Sequence, residues 1–394
     1  MKKLILTFIF FISINGFGQK FSKEYLNHYY TEVEQSNSSD IDGKIVVKFE
    51  NKIYILNDFL LGNQINAKFF GVKADGVSDD TTNLQDAINF CTKKGLTLFL
   101  PTGKIITSRD LNINLDKNAS TKFRLIGNGI SNTIILNIGE KTEIVLNVNG
   151  NYYDMFSMKD FSIERIDGEK PSGGIGIKLN KLVYSNFENI DIFRFKTALL
   201  ANDVSSSSFK NVNGRWGENG VILTMEPNGM SNPNLIEFRS CIFNSNLEWG
   251  IKIDNAHNVN FYNSLFEDNG KGGIYTTYNN SNGAVSINVN NSYFEANKGY
   301  DIYLKSYGQG SHNFYGNTFN RVSKDKFTDH NIFVEIDSSV PDFFDNTVTT
   351  IGNGFFSAGT YNPSEKRKAI KIVENNKKVK IIDNNSYRTD KEKL

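Results

Sequence analysis

The segment NSLFEDNGKGGIYT (263–276) aligns residue for residue with NSYFEANKGYDIYL (291–304). The related stretches SCIFNSNLEWGIKI (240–253) and GNTFN (316–320) continue the series. Each copy carries one apolar anchor, and the four anchors are Phe243, Phe266, Phe294 and Phe319. Their spacings of 23, 28 and 25 residues match one turn of a parallel β-helix rather than a propeller blade. The repeat therefore predicts an all-β solenoid whose stacked turns bury a continuous core of Ile, Val, Leu and Phe.

Strand segments within these repeats alternate apolar and polar residues. They are GVILT (220–224), GIKID (250–254), GIYTT (273–277) and DIYLK (301–305). Because successive side chains of a strand point to opposite faces, one set faces the core and the other faces solvent. The set predicted to point inward is Val221, Leu223, Ile251, Ile253, Ile274, Thr276, Ile302 and Leu304. The set predicted to point outward is Lys252, Asp254, Tyr275, Asp301, Tyr303 and Lys305.

Several polar residues recur with the repeat and are predicted to be structural. Asn263 and Asn291 stand just before the anchor, where asparagine tolerates a left-handed turn and can hydrogen-bond along the coil. The Glu of the recurring Phe-Glu pairs is interpreted in the same way, at Glu188, Glu267 and Glu295. Repetition of a residue type in successive turns indicates a scaffold rather than chemistry.

Residues 66–136 carry a second signal. Its elements are FGVKADGVSDDT (70–81), a helical pattern through Leu84, Ala87 and Ile88, LFLPTGKI (98–105) and LIGNGISNTII (125–135). This segment closely resembles the N-terminal signature of the pectate-lyase-like superfamily of right-handed parallel β-helix proteins. The resemblance implies an N-terminal helix that caps the open end of the coil. It also implies a polysaccharide-active protein, because relatives include lyases, glycoside hydrolases, uronate epimerases and phage depolymerases.

The turn-rich loop before this helix contains Asp75, Asp79 and Asp80. Asp80 or Thr81 is predicted to cap the helix. A calcium site or a catalytic pair is the alternative for the three aspartates, but the resemblance implies a structural cap. The Asn-Thr-Asp, Asp-Asp, Gly-His-Gly and Arg-Ile-Lys motifs of polygalacturonases are absent, which excludes that class of hydrolase.

In such folds the substrate lies along the outward face of one stacked sheet, and the sheet with the four alternating segments is the candidate. The predicted catalytic residues are Lys252, Tyr275, Tyr303, Arg215, Glu218, Glu248 and Asp301. The predicted substrate-binding residues are Trp216, Trp249, Asp254, His257 and Lys305. An indole can stack on a sugar ring, although a tryptophan that only covers the coil is an equal alternative.

Two mechanisms compete for these residues. β-Elimination from a uronate needs a cation that neutralises the carboxylate and a base, and Lys, Arg and Tyr suit those roles. Hydrolysis needs two carboxyl groups about 5–5.5 Å or 6.5–9.5 Å apart, which Glu218, Glu248 and Asp301 on neighbouring turns would allow. The favoured prediction is a polysaccharide lyase, with a glycoside hydrolase second. A uronate epimerase and a non-catalytic carbohydrate-binding β-helix remain as further alternatives.

The N-terminal segment and the charge composition indicate where the protein is located and which partners it has. Lys2 and Lys3 precede a largely apolar run (4–14), which predicts a signal peptide over residues 1–19 and a secreted or periplasmic protein without a lipid-anchor cysteine. The 44 Lys and Arg residues balance 43 Asp and Glu residues, so no nucleic-acid partner is expected. No later run is long enough to span a membrane. The expected partner is an extracellular polysaccharide.

The remaining expectations concern domains and cofactors. Residues 20–62 are predicted to form an N-terminal extension, residues 63–360 the β-helix, and residues 361–394 closing strands with a charged tail. Cys91 and Cys241 are predicted to be buried and unpaired. The four histidines lack metal-ligand spacing, so no metal is assigned. Calcium is left open because relatives that are lyases commonly use it.

Overall fold

The computed structural model describes most of the chain. The described residues are 22–33, 46–50, 52–57, 63–115, 123–139, 143–166, 173–225, 233–255, 257–277, 286–306, 310–321, 330–336, 346–357, 369–374 and 379–388. Contacts divide the chain into two compact units, Met1–Asn66 and Ala67–Leu394. The predicted signal peptide at residues 1–19 lies outside the described residues.

Within its described residues, the first unit contains a short helix and a small antiparallel sheet. Helix α1 (Lys23–Tyr29) begins after Ser22, whose hydroxyl accepts the Tyr25 N–H at 3.0 Å. Strand Lys52–Leu56 pairs with both other strands of the sheet. The strands of this unit are Tyr30–Val33, Val46–Phe49, Lys52–Leu56 and Gln64–Asn66. The sequence predicts a short helix over 24–33, but residues 30–33 form a strand because Tyr30 is buried in an extended conformation.

The second unit is a three-sided coil of parallel strands preceded by a 3₁₀ helix (Ala67–Phe70) and helix α2 (Thr81–Lys94). Sheet 1 contains Thr97–Phe99, Arg124–Ile126, Asn234–Arg239, His257–Tyr262, Ile287–Asn290 and Ser311–Tyr315. Sheet 2 contains Asp75–Asp79, Gly103–Thr107, Thr133–Asn137, Ile242–Asn244, Leu265–Glu267, Tyr293–Glu295 and Thr318–Arg321. Five long strands run through both sheets: Ser157–Arg165, Asn186–Phe193, Ser208–Arg215, Asn346–Ser357 and Val379–Arg388.

Sheet 3 forms the third side. Its strands are Leu111–Asn114, Ile144–Asp154, Ile175–Val183, Thr197–Ser205, Asn219–Thr224, Trp249–Asp254, Gly272–Thr277, Tyr300–Ser306, Ile332–Ile336 and Ile370–Val373. The chain visits sheets 1, 2 and 3 in turn, and each strand pairs in parallel with the strand one turn later. The closing strands predicted near residues 369–383 are confirmed at Ile370–Val373 and Val379–Arg388.

The registers confirm the repeat in the sequence. Phe266 pairs with Phe294, and Phe294 pairs with Phe319. Their rings lie 4.7 and 4.8 Å apart between centroids, stacked and fully buried. All eight side chains predicted to point inward are buried. The core is therefore built from columns of like residues that run along the coil.

Buried asparagines connect the turns between sheets 2 and 3. The Asn246 amide donates to Asn269 at 3.0 Å, and the Asn269 amide donates to Asn297 at 2.9 Å. We call these three residues the asparagine ladder. Asn263 and Asn291 take the predicted left-handed conformation, both with φ 50°. At the corner between sheets 2 and 3, the ladder residues make the side-chain hydrogen bonds from one turn to the next.

Asp301 corrects one face assignment. The alternation predicts that it points outward, yet it is fully buried. Its carboxylate accepts hydrogen bonds from the amides of Asn297 at 3.0 Å and Asn331 at 2.5 Å. It thus occupies the end of the asparagine ladder, where the polar group is satisfied inside the coil.

Helix α2 has the predicted position but a different N-terminal arrangement. Leu84, Ala87, Ile88 and Cys91 are buried as expected. Asp80 is the N-cap residue, but its carboxylate accepts the backbone N–H groups of Lys73 and Ala74 instead of a helical one. That the helix covers the end of the coil stays a prediction. Cys91 and Cys241 are buried and not joined in a disulfide, as predicted.

Candidate functional site

The outward side of sheet 3 carries two columns of side chains, and we call the part from Lys252 onward the candidate face. In the first column Lys252 pairs with Tyr275, and Tyr275 pairs with Tyr303. The first column comprises Lys252, Tyr275, Tyr303, Phe333 and Lys371. The second column comprises Asp254, Thr277, Lys305 and Glu335. With neighbouring strands about 4.8 Å apart, these residues form a surface long enough for several sugar units.

Aromatic rings form a continuous ribbon on the candidate face. Trp249 stacks on Tyr275 with centroids 4.9 Å apart and an interplanar angle of 22°. Tyr275 meets Tyr303 at 5.3 Å, and Tyr303 meets Phe333 at 5.0 Å. Tyr300 contacts both Tyr303 and Phe333. Such a ribbon presents apolar surface with polar edges, which is the chemistry that a sugar ring requires.

Glycine makes room for the tryptophan of this ribbon. A Cβ on Gly272 would lie 2.4 Å from Cζ3 of Trp249 and 2.0 Å from the Tyr300 carbonyl oxygen. The indole therefore lies over Gly272, and only 8% of Trp249 is exposed. Trp249 supports Tyr275 from beneath more than it offers its own face to solvent.

Asp254 and Lys252 are the charged pair at the start of the candidate face. Asp254 is half-buried, and its Oδ1 atom is buried without a hydrogen-bond partner among the described residues. Burial raises the pKa of Asp254 above its ordinary value, and the nearby Lys252 partly opposes this shift. A carboxylate with an unused acceptor atom and a raised pKa has the properties of a general base.

Tyr303 has a different character from Tyr275. Its hydroxyl donates to Oε2 of Glu335 at 2.9 Å. Burial first, and then this bond to Glu335, raise the pKa of Tyr303 well above its ordinary value. Tyr303 therefore stays protonated at neutral pH, which suits it to donate a hydrogen bond and not to accept a proton.

Other predicted binding residues lie at the edge of this face. Lys305 is half-exposed in the second column, in register with Glu335. His257 begins the following strand of sheet 1, and burial lowers the pKa of its imidazole. His257 is thus neutral at pH 7 and positioned at the corner next to Asp254.

Two predicted residues belong to another sheet. Arg215 ends a long strand and lies on the outward side of sheet 2, in register with Phe193 and Asn244. Its guanidinium pairs with the buried carboxylate of Asp191. Trp216 follows at the corner and is 47% exposed. The structure does not bring this pair into contact with the columns of the candidate face.

The three carboxylates predicted for hydrolysis are in two places: Glu218 and Glu248 lie on successive turns of one corner, and Asp301 is buried inside the coil. Glu248 pairs with Lys271 at the corner between sheets 2 and 3. Glu218 lies one turn earlier at the same corner, where its carbonyl accepts the Glu248 N–H at 2.8 Å. Asp301 is enclosed by two asparagine amides. Its outward, catalytic assignment is therefore wrong, because the carboxylate has no access to solvent.

Sequence reasoning missed Tyr300, Phe333 and Glu335. Phe333 and Glu335 follow a segment outside the aligned repeats, so no register placed them beside Tyr303 and Lys305. The alternation of IFVEI (332–336) was the available signal. Among the residues that the structure describes, no group of three His, Cys, Asp or Glu side chains is arranged to hold a metal ion.

Comparisons with known proteins identify the fold. No protein-family profile matches the chain, and no curated protein matches it. The Azotobacter vinelandii mannuronan C-5 epimerase AlgE4 A-module is 15% identical, with a TM-score of 0.58 over 82% of this chain and 95% of that one. The Streptococcus pneumoniae adhesin PfbA is 15% identical, with a TM-score of 0.57 over 82% of this chain and 97% of that one. The chain is a right-handed parallel β-helix.

A third solved structure shares the β-helix. Tailspike protein 2 of the Escherichia coli O157:H7 bacteriophage CAB120 is 13% identical, with a TM-score of 0.58. The match covers 89% of this chain and 46% of the tailspike, so this chain corresponds to under half of that protein. At these identities the likeness shows the fold alone. Within the described residues, no helix is long and apolar enough to cross a membrane.

Proposed function

We propose that the candidate face is the active site of an enzyme that cleaves a uronate-containing polysaccharide by β-elimination. The observation that carries the proposal is the placement of Lys252, Asp254 and Tyr275 on two adjacent strands beside the aromatic ribbon. A cation, a carboxylate with a raised pKa and a phenol are the three groups that this elimination uses.

Lys252 neutralises the uronate carboxylate. Removal of the proton at C5 places negative charge on the carbon next to that carboxylate, and a nearby ammonium group stabilises this charge. Lys252 is half-exposed at the start of the first column, next to Tyr275. A pyranose ring resting against Tyr275 would therefore present its carboxylate within the reach of the lysine side chain.

Asp254 takes the C5 proton and Tyr275 returns one to the leaving oxygen. The C5–H bond breaks, its electron pair forms the C4=C5 double bond, and the C4–O bond breaks. The glycosidic oxygen keeps that electron pair and receives a proton from the Tyr275 hydroxyl. Proton exchange with water then restores Asp254 and Tyr275. Tyr303, whose only O–H donates to Glu335, orders the ribbon.

The fold likeness is compatible with this chemistry. One solved relative by fold is a mannuronan C-5 epimerase, an enzyme of the polyuronate class. Epimerisation starts from the same C5 proton and is the second candidate function. The hydrolase alternative has less support, because Asp301 is fully buried and Glu248 is paired with Lys271. A secreted or periplasmic location follows from the predicted signal peptide and belongs to this proposal.

The deciding experiment incubates the protein with polyuronates and neutral polysaccharides. Ultraviolet absorbance of the new double bond, reducing ends and the uronate composition of the polymer are followed together. Elimination raises absorbance and reducing ends in parallel. Reducing ends without absorbance would replace the lyase by a hydrolase, and altered uronate in an unbroken chain would replace it by an epimerase.

Variants tie the activity to the candidate face. Lys252→Ala and Asp254→Asn are each expected to lower kcat by at least about a hundredfold. Lys178→Ala is the matched control, because Lys178 occupies the same outward column three strands earlier, through Leu200 and Ile222. Equal losses in Lys178→Ala and Lys252→Ala would contradict the assignment.

A further inference from the structure

A cluster of aromatic and basic side chains lies on sheet 2, outside the candidate face. The Arg215 guanidinium carbon lies 4.4 Å from the centre of the Phe193 ring. The Trp216 and Phe193 rings are 5.8 Å apart, and the Arg194 guanidinium carbon is 5.7 Å from the Trp216 ring. Two arginines thus flank an aromatic pair.

A buried carboxylate holds this cluster in place. Only 4% of the Asp191 side chain is exposed, and it accepts a hydrogen bond from Nε of Arg215 at 3.1 Å. The Arg215 side chain remains 25% exposed. A guanidinium has five N–H donors, so Arg215 retains donors for a ligand after it has bonded to Asp191.

Trp216 occupies a corner position that recurs along the coil. It has φ 55°, and the equivalent residues are Arg194 one turn earlier and Ser245, Asp268 and Ala296 in later turns, all with positive φ. The later turns carry small or short residues at this corner, whereas two consecutive turns place the long side chains of Arg194 and Trp216 there. Both side chains are exposed, and the corner thus brings a guanidinium and an indole together at the surface.

The charges around the indole favour an anionic sugar. Arg194 and Lys196 are exposed and Arg215 is half-exposed. The carboxylates near them are Asp191, which is committed to Arg215, Glu218 at the same corner, and Glu164, in register with Phe193 one turn earlier. The surface next to Trp216 therefore presents guanidinium donors more than free carboxylate.

We propose that Trp216, Arg194 and Arg215 form an accessory binding platform for one uronate unit of a polysaccharide. The indole stacks on the pyranose ring, and the guanidinium groups bind its carboxylate. The platform lies on a different sheet from the candidate face, so it retains the polymer without taking part in the chemistry. This inference extends the proposed function, since the same polymer would occupy both surfaces.

The test uses Trp216 itself as the probe. In the full-length Trp249→Phe variant Trp216 is the only tryptophan, so acrylamide quenching of its fluorescence reports contact with added polymer. Polymannuronate is expected to protect Trp216, whereas neutral dextran is not. Arg194→Gln is expected to weaken the apparent affinity about threefold, and Trp216→Ala about tenfold by gel-retardation electrophoresis.

Leu247→Ala is the matched control, because Leu247 is 61% exposed at the same corner one turn later. Its affinity for polymannuronate is expected to equal that of the wild type. The platform is refuted if polymannuronate binds without protecting Trp216, or if dextran protects it equally. The readout needs no turnover. Protection of Trp216 in the Trp249→Phe variant, together with a wild-type protein that cleaves no polymer, would overturn the proposed function and leave the platform standing.

Discussion

His312 is an ionisable residue placed where ionisation is costly. Its side chain is fully buried on the inward side of sheet 1, and neither ring nitrogen has a partner among the described residues. It pairs in register with Val348 and follows the position of Ile287. Burial lowers the pKa of His312 to about 4. The imidazole is therefore neutral in the folded protein wherever the fold is intact.

The folded protein should lose stability as pH falls through the window between about 6.5 and 4. In that window the unfolded chain binds a proton that folded His312 does not, so acid favours unfolding. The loss is on the order of 3 kcal/mol between pH 7 and pH 4. His312→Leu is expected to flatten this dependence and to raise stability at pH 7. Urea unfolding at both pH values checks it, and parallel curves for variant and wild type would contradict it.

Asp254 shows the opposite linkage. Because its pKa is raised in the folded protein, folding is favoured most when it is protonated, and stability falls as pH rises past the ordinary carboxyl range. Asp254→Asn removes this cost at neutral pH. We expect its Tm at pH 7 to exceed that of the wild type by about 2 °C, with no gain near pH 3. A lower Tm at pH 7 would mean that Asp254 has a structural partner.

At the scale of the elements, the asparagine ladder stabilises the corner between sheets 2 and 3. Asn269 donates to Asn297 and to the Phe243 carbonyl, and it accepts from Asn246. Removal of this side chain leaves buried groups without partners. Asn269→Ala is therefore expected to lower the free energy of unfolding by about 2–4 kcal/mol.

Asn288→Ala is the comparison for this variant. Asn288 belongs to an outward, part-buried row in which it donates to Asn260 at 2.8 Å and accepts from Asn313 at 2.7 Å. Water can replace these bonds, so a loss of about 1 kcal/mol is expected. Denaturant unfolding of the two variants separates them. Equal losses in the free energy of unfolding would show that burial does not determine how much these asparagine hydrogen bonds stabilise the fold.

The sequence predicted which side chains point to the core wherever a strand alternates apolar and polar residues. It did not predict this for the first residue of a segment, next to a corner. Ile251, Ile274 and Ile302 stack in register inside the coil, as two-residue periodicity requires. Asp301 stands at the first position of such a segment, aligned with Gly273 and Gly250, where the chain is still leaving the corner. There the direction of the Asp301 side chain is set by hydrogen bonds from nearby asparagine amides. The alternation of residues along a strand does not indicate such bonds.

At the scale of the whole molecule, burial declines toward the last turns. Ile251 and Ile274 are fully buried, whereas Ile381 is 46% and Ile382 is 38% exposed. Each turn of a solenoid is stabilised by its neighbours, so the terminal turn has the least support. In native-state hydrogen exchange, amides of Val379–Arg388 are expected to exchange faster than those of Trp249–Asp254. Uniform protection along the coil would contradict this expectation.

The fold followed from local repeats, but the candidate site depends on contacts between distant turns. The repeat placed Lys252, Tyr275 and Tyr303 in one column because they lie in aligned segments. No local pattern indicated that Arg215 would pair with Asp191, 24 residues earlier and on sheet 2. The sheet to which a corner residue is attached depends on the direction of its backbone. That direction depends on the packing of the whole turn, which local sequence does not show.

Gly272 restricts which substitutions this part of the coil can accept. A Cβ there would lie 2.0 Å from the Tyr300 carbonyl oxygen as well as 2.4 Å from the Trp249 ring. The backbone clash remains whichever residue occupies position 249, so a smaller side chain in place of the tryptophan does not open position 272 to alanine. In a library of folded variants, position 249 is therefore free to vary while position 272 stays glycine.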